Sequence, residues 1–184
     1  AGGRRRPERA ADGEVRLAAR HRFERAGEHL AAQAQPRGGG VEGIERLEST
    51  PQRLLLDQAE TVVSAVMGAL GGTPGLRGME PAGSFRRRRE SIGDLDLLAE
   101  TDDGPGLIER FTALGDVDHV VNRGSYKAAV RLIRGPQVDL MVMPPGEAGT
   151  YRIHFTGSKE HNVRLRARAR DQGWSLSEKG FLRI

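Results

Sequence analysis

Three features of the sequence predict an α+β fold, a mixed β-sheet with helices on one face. A long amphipathic helical run occupies residues 50–70. Four short apolar runs with strand character follow it, and a shorter helical run separates the first two of these.

The helix is signalled first at Ser49-Thr50-Pro51, where Thr50 suits the cap and Pro51 the first helical position. Leu54, Leu55, Ala59, Val62, Val66 and Leu70 then recur on one side until Gly71-Gly72 ends the run. The predicted strands are Leu95 to Ala99, Val117 to Val121, Tyr126 to Ile133 and Val138 to Met143. Between the first two, Gly106 to Leu114 reads as a helix with Leu107, Ile108, Phe111 and Leu114 on its apolar side. Before all of these, residues 1–42 read as a basic segment, poorly ordered or weakly helical. Only Val15 to Ala32 has helical character, and its apolar residues are mostly alanine. The chain of 184 residues has no initiator methionine, which reads as a fragment or a processed chain.

Hydrophobic residues make up 37% and charged residues 29%, and no apolar run approaches the roughly 18–20 residues of a membrane span. With no cysteine, the chain has no disulfide, thiolate zinc site or cysteine nucleophile. A soluble, cytoplasmic monomer is the expectation. The formal charge of +4 is unevenly spread: +3 over residues 1–42, −3 over 43–156 and +4 over 157–184. An acidic centre between basic ends suits a metal site flanked by phosphate-binding surfaces.

That centre has a defined pattern. Gly93-Asp94-Leu95-Asp96-Leu97-Leu98 places two carboxylates at i and i+2 of a strand, so both share one face. Two like charges held together repel, and a divalent cation relieves them. Asp139 lies inside the apolar run Val138-Asp139-Leu140-Met141-Val142-Met143. If the two strands are neighbours, three carboxylates meet, the arrangement that holds two Mg²⁺ about 3.5–4 Å apart for phosphoryl transfer. Each part also has a plainer reading. A D-x-D pair is common at strand ends, and a lone Asp in a strand can pair with Arg131 or Arg134. Gly83-Ser84 ahead of Arg86 to Arg89 is by itself a turn before a solvated basic run, but beside carboxylates its amides can cradle phosphates.

The run from Gly83-Ser84-Phe85-Arg86-Arg87 to Gly93-Asp94-Leu95-Asp96 resembles the palm signature of the polymerase beta-like, family X nucleotidyltransferases. Phe155-Thr156-Gly157-Ser158-Lys159-Glu160-His161-Asn162-Val163-Arg164-Leu165-Arg166 resembles the palm-to-thumb passage of bacterial family X polymerases, and Gly173-Trp174-Ser175-Leu176-Ser177-Glu178-Lys179-Gly180 is similar to the stretch after it. Gly43-Ile44-Glu45-Arg46-Leu47 looks like the helix that leads into such a palm. The resemblance implies a nucleotidyltransferase palm at 43–150 and the start of an α/β thumb at 151–184.

It implies roles residue by residue. Asp94 and Asp96 would bind both metals and Asp139 the catalytic one, the ions being two Mg²⁺ with Mn²⁺ as the substitute. Ser84 and Arg87, with the backbone of Gly83 and Gly93, would hold the nucleotide's phosphates. Phe155 and Gly157 would border the deoxyribose, and Asn162 the base. Arg166, Lys159 and Arg164 would contact DNA. Lys127, after Gly124-Ser125-Tyr126, could point to a phosphate or only to water and is left out of the site. Three positions depart from the family pattern: His154 stands where tyrosine is common, Gln137 where some relatives carry arginine, and Arg88 where glycine is frequent. No helix-hairpin-helix motif or lyase domain is recognisable in residues 1–42.

The expected function is a DNA-directed DNA polymerase that adds dNMP to a primer 3′-hydroxyl on primer-template or gapped DNA in repair, without membrane association. The rivals are a small nucleotidyltransferase with a non-DNA acceptor and a DNA-binding fragment without activity.

Overall fold

Leu54 enters the core as a strand residue paired with another buried strand residue and not as the start of a helix. In the computed structural model, which describes residues 53–184, Leu54–Leu55 (β1) pairs antiparallel with Ser91–Ile92 (β3), Leu54 opposite Ile92. Both residues of that pair are almost fully buried. The neighbouring Arg53 clamps the turn, its Nε donating to Ser91 Oγ at 2.6 Å and its Nη2 to the Ser91 carbonyl at 2.8 Å.

The helix (α1) therefore runs Leu56–Leu70, starting later than its sequence pattern suggests. Leu55 is 55% exposed and off the apolar side assigned to it from sequence. Its N–H donates to Gln58 Oε1 at 2.9 Å, satisfying one of the groups left open at the helix start. Ala59, Val62, Val63, Val66 and Leu70 form the buried stripe, at the 3–4 residue spacing of one helical face. Thr50 and Pro51, the helices expected at Val15 to Ala32 and at Gly43 to Leu47, and the whole 1–42 segment lie outside the described residues.

Five strands form the central sheet in the order β2-β4-β7-β6-β5. They are β2 (Leu76–Pro81), β4 (Asp94–Thr101), β5 (Val117–Arg123), β6 (Lys127–Leu132) and β7 (Gln137–Met143). Only β4 and β7 are parallel, so the sheet is mixed. Helix α3 (Gly104–Thr112) carries the chain from β4 toward the far edge, and the β5-β6-β7 meander then brings β7 back beside β4. Asp103 caps α3 by accepting from Gly106 N–H at 2.9 Å, and Pro105 sits in the first turn.

One sheet face is apolar. Leu95, Leu97, Ala99, Val130, Leu132, Val138, Leu140 and Val142 pack there against α1 and against Leu107, Ile108 and Phe111 of α3. Burial of side chains of this size contributes roughly 1.5–3 kcal/mol each. The alternate strand positions, Asp94, Asp96, Lys127, Gln137 and Asp139 among them, face the other way.

The first helix after residue 144 packs on that second face. Helix α4 (Ala148–Thr156) buries Tyr151 in a small cluster with Ala82, Leu98 and Met143. Helix α5 (Lys159–Asp171) and the β8–β9 hairpin (Trp174–Ser177, Gly180–Arg183) complete the chain. No clear sequence signal marked β1, β2, β3, α4 or the hairpin as elements.

Candidate active site

Alternation along β4 sends Asp94 and Asp96 to the face opposite Leu95 and Leu97, and parallel pairing sets Asp96 directly across from Asp139 of β7. The backbone thus gathers the three carboxylates. The side chains do not close into a cluster: among the described residues, no group of three or more His, Asp or Glu side chains is arranged to hold a metal ion. Like charges repel, and Asp139 instead has a partner for each oxygen. Gln137 Nε2 donates to Oδ1 at 2.7 Å, and Lys127 Nζ lies 3.8 Å from Oδ2. The partners suggested from sequence, Arg131 and Arg134, are not the ones it takes. Burial, then Asp94, then Asp139 push the Asp96 carboxyl up to about 6, with Lys127 and Arg87 opposing.

The short helix α2 (Gly83–Arg86) sits against these carboxylates, and its first residue has to be glycine. Gly83 has φ +55°, and a Cβ on it would stand 1.8 Å from Asp96 Oδ2. Ser84 follows, its Oγ buried and without a hydrogen-bond partner. An orphaned hydroxyl of this kind beside carboxylates is suited to an anionic ligand that arrives with a cation. The donor set of carboxylates and a hydroxyl is the oxygen chemistry of Mg²⁺ and Mn²⁺. The residues present therefore fit the implied ions.

A cavity of about 450 Å³ opens between α2, the start of β4, the end of α4 and α5. Of the residues singled out from sequence, Gly83, Ser84, Arg87, Asp94, Asp96, Phe155, Gly157, Lys159, Asn162 and Arg166 line it. Gly93, Asp139 and Arg164 do not. Gly93 lies against Arg53, where a Cβ would be 3.1 Å from Nη1, and Arg164 points to solvent. His154, Ser158 and Val163 also line the cavity but were not assigned to it from sequence.

The C-terminal wall is tied to the sheet by named contacts. Arg87 Nη1 donates to the Thr156 carbonyl at the end of α4. Gly157, φ +70°, leaves the room this needs, since a Cβ there would lie 3.1 Å from Arg87 Nη1. Glu80 of β2 joins Arg86 at 3.1 Å and Arg152 of α4. Phe155 stacks on Tyr151 with centroids 5.9 Å apart, so it serves the small core and the cavity together. The Gly157–Ser158 peptide is cis, and Ser158 Oγ caps α5 by accepting from His161 N–H at 3.4 Å.

His154 is the hub of this wall. Asn162 Nδ2 donates to its carbonyl at 2.6 Å, and Arg166 Nη2 to its Nδ1 at 2.7 Å. Burial first, then Arg166, lower its pKa against the pull of Glu178. The donation from Arg166 to Nδ1 suits the tautomer that carries its proton on Nε2, and Glu178 Oε2 lies 4.0 Å from Nδ1.

A mixed sheet with an in-register carboxylate pair beside a glycine-serine turn, followed by two helices and a hairpin, defines a polymerase beta-like nucleotidyltransferase fold. Comparison with known proteins gives its relatives. Residues 151–183 match the DNA polymerase beta thumb. Over 101 residues, 54% of the chain, the sequence is 36% identical to the DNA polymerase/3′-5′ exonuclease PolX of Bacillus subtilis (strain 168). Over 155 residues, 74% of the chain, it is 28% identical to DNA polymerase lambda of Rattus norvegicus. The chain spans 18% and 27% of the lengths of these two relatives. The chain is thus similar to the thumb of DNA polymerase beta at its C-terminal end and to parts of two DNA polymerases.

Proposed function

We propose that this chain carries the palm, residues 43–150, and the start of the thumb, residues 151–184, of a DNA-directed DNA polymerase that fills gaps during repair inside the cell. The observation that carries the reading is the pairing of Asp96 with Asp139 across β4 and β7, next to Asp94 and against the Gly83–Ser84 turn. Its names come from the relatives, which are called DNA polymerases.

In this reading Asp94 and Asp96 hold two Mg²⁺ or Mn²⁺ ions, with Asp139 on the side of the primer's 3′-hydroxyl. The ions, when bound, supply Lewis-acid stabilisation of charge on the transferring phosphate and on the leaving pyrophosphate. The chain's own groups do the positioning. Ser84 Oγ donates to a terminal phosphate of the dNTP, and Arg87 neutralises it with the guanidinium donors that Thr156 leaves open. Phe155 and Gly157 press on the sugar, and Asn162 borders the base. Lys159, Arg164 and Arg166 meet DNA phosphates from α5.

Primer extension on one-nucleotide-gapped DNA with Mg²⁺ or Mn²⁺ tests this. The expected product is the primer lengthened by one dNMP. Transfer to an RNA or small-molecule acceptor with none to DNA would assign the fold to another acceptor, and DNA binding with no transfer under any metal would reduce it to a binding fragment.

A further inference from the structure

Asp139 does not line the cavity that Asp94 and Asp96 line, and its surroundings differ from theirs. Its two oxygens are divided between two elements: Oδ1 accepts from Gln137 on its own strand, and Oδ2 faces the ammonium of Lys127 on β6. Lys127 is opposite Met141 in the β6–β7 register and Ala129 is opposite Asp139, so Lys127 reaches Asp139 on the diagonal across one sheet face. The side chain of Lys127 is 47% exposed and that of Asp139 22%, so the ammonium approaches from solvent toward a more enclosed carboxylate.

The two cations that act on the neighbouring Asp96, Lys127 and Arg87, are held differently. Arg87 is fixed by the Thr156 carbonyl, whereas Lys127 has a flexible stem and one long contact. A compact point charge on such a stem can balance a carboxylate and leave when a stronger charge arrives. Gln137 cannot play that part, because it is neutral and its amide is set by its own strand position.

We propose that Lys127 is a positioning residue for Asp139: its ammonium holds Oδ2 in the metal-free protein and yields that oxygen to a divalent cation. The proposal rests on the polymerase reading of the three carboxylates. It makes Lys127 a competitor of the ion, which a merely solvated lysine would not be. Removing it exposes the uncompensated carboxylates in the metal-free protein and strengthens their attraction for the ion.

Binding of Mn²⁺ alone, followed by calorimetry, tests this with wild type, Lys127→Met and Lys127→Arg. Lys127→Met is expected to bind Mn²⁺ about tenfold more tightly, the effect of deleting one charge about 6 Å from a divalent ion even at water's dielectric. Its melting temperature without metal should fall, and Lys127→Arg, which keeps the positive charge, should not show the tighter Mn²⁺ binding. Equal or weaker Mn²⁺ binding by Lys127→Met overturns the proposal. In the wild-type protein, acylation of Lys127 read by mass spectrometry should speed up on adding Mn²⁺, and an unchanged rate overturns the proposal without any variant. A wild-type protein that binds no Mn²⁺ would sink the metal reading itself, and this proposal with it; normal wild-type binding with an indifferent Lys127→Met sinks this proposal alone.

Discussion

Asp96 and Asp139 stand directly opposite each other on parallel neighbouring strands, so two negative charges occupy a position where a sheet would ordinarily place a complementary pair. The cost falls on Asp96. Its carboxyl is raised to about 6 by burial and by Asp94 and Asp139, so the folded state favours its protonated form. Stability is therefore full at low pH and falls as pH rises from the unfolded value of about 3.9 through 6.

Asp96→Asn should relieve that strain in metal-free buffer. At pH 8 the expected gain is on the order of 1–2 kcal/mol, seen as a rise of several degrees in melting temperature. Near pH 4 the gain should disappear, because the wild-type carboxyl is then protonated. A thermal melt series across pH measures both.

Gly83→Ala should be destabilising by about 1–3 kcal/mol, since the new Cβ meets Asp96 Oδ2 and the backbone is left-handed there. The clash predicts coupling. In a double-mutant cycle with Asp96→Ala, the steric part of the loss should vanish while the backbone part persists. Strict additivity in denaturant unfolding would contradict the close approach.

Arg87→Ala should loosen the end of α4, because its guanidinium is the donor to the Thr156 carbonyl. Amide exchange over Tyr151 to Gly157 is expected to accelerate about fivefold, the consequence of losing roughly 1 kcal/mol. Arg87→Lys should restore part of it, because one donor remains but the planar fork is gone.

Arg166→Ala should raise the pKa of His154, because Arg166 donates to Nδ1 and opposes protonation. The sign for stability follows. A depressed histidine favours the fold above its unfolded pKa of about 6.5 and loses that contribution as pH falls. The variant should thus lose less stability than wild type between pH 7 and 5, and NMR titration of the imidazole reads the shift itself.

Much of the sheet was legible because its strands are apolar on one face and because the carboxylates interrupt that pattern at fixed spacing. Asp94 and Asp96 could be picked out for this reason, whereas Ser84 and Arg87 were singled out by the glycine-serine pair ahead of an arginine run and by the family resemblance. The β2 strand was hidden by Gly78 and Pro81, which weaken strand character and are tolerated because β2 lies at an edge. Helix α4 was hidden by a mixed sequence whose buried residue, Tyr151, is defined only by packing on Leu98 and Met143. The His154–Arg166 contact joins two helices across twelve residues, and no local pattern marks it. Ser158 did leave a signal, since a serine ahead of Lys159-Glu160 is a good helix cap. The partners of Asp139 were the hardest to foresee, because Lys127 reaches it only through the β6–β7 register.

The central claim is that Asp94, Asp96 and Asp139 act together in nucleotidyl transfer. The most direct measurement is single-nucleotide incorporation on gapped DNA by Asp139→Asn beside wild type, with circular dichroism to show that both are folded. The account predicts incorporation by wild type and a loss of about a hundredfold or more in Asp139→Asn. Incorporation at the wild-type rate by the folded variant would contradict it.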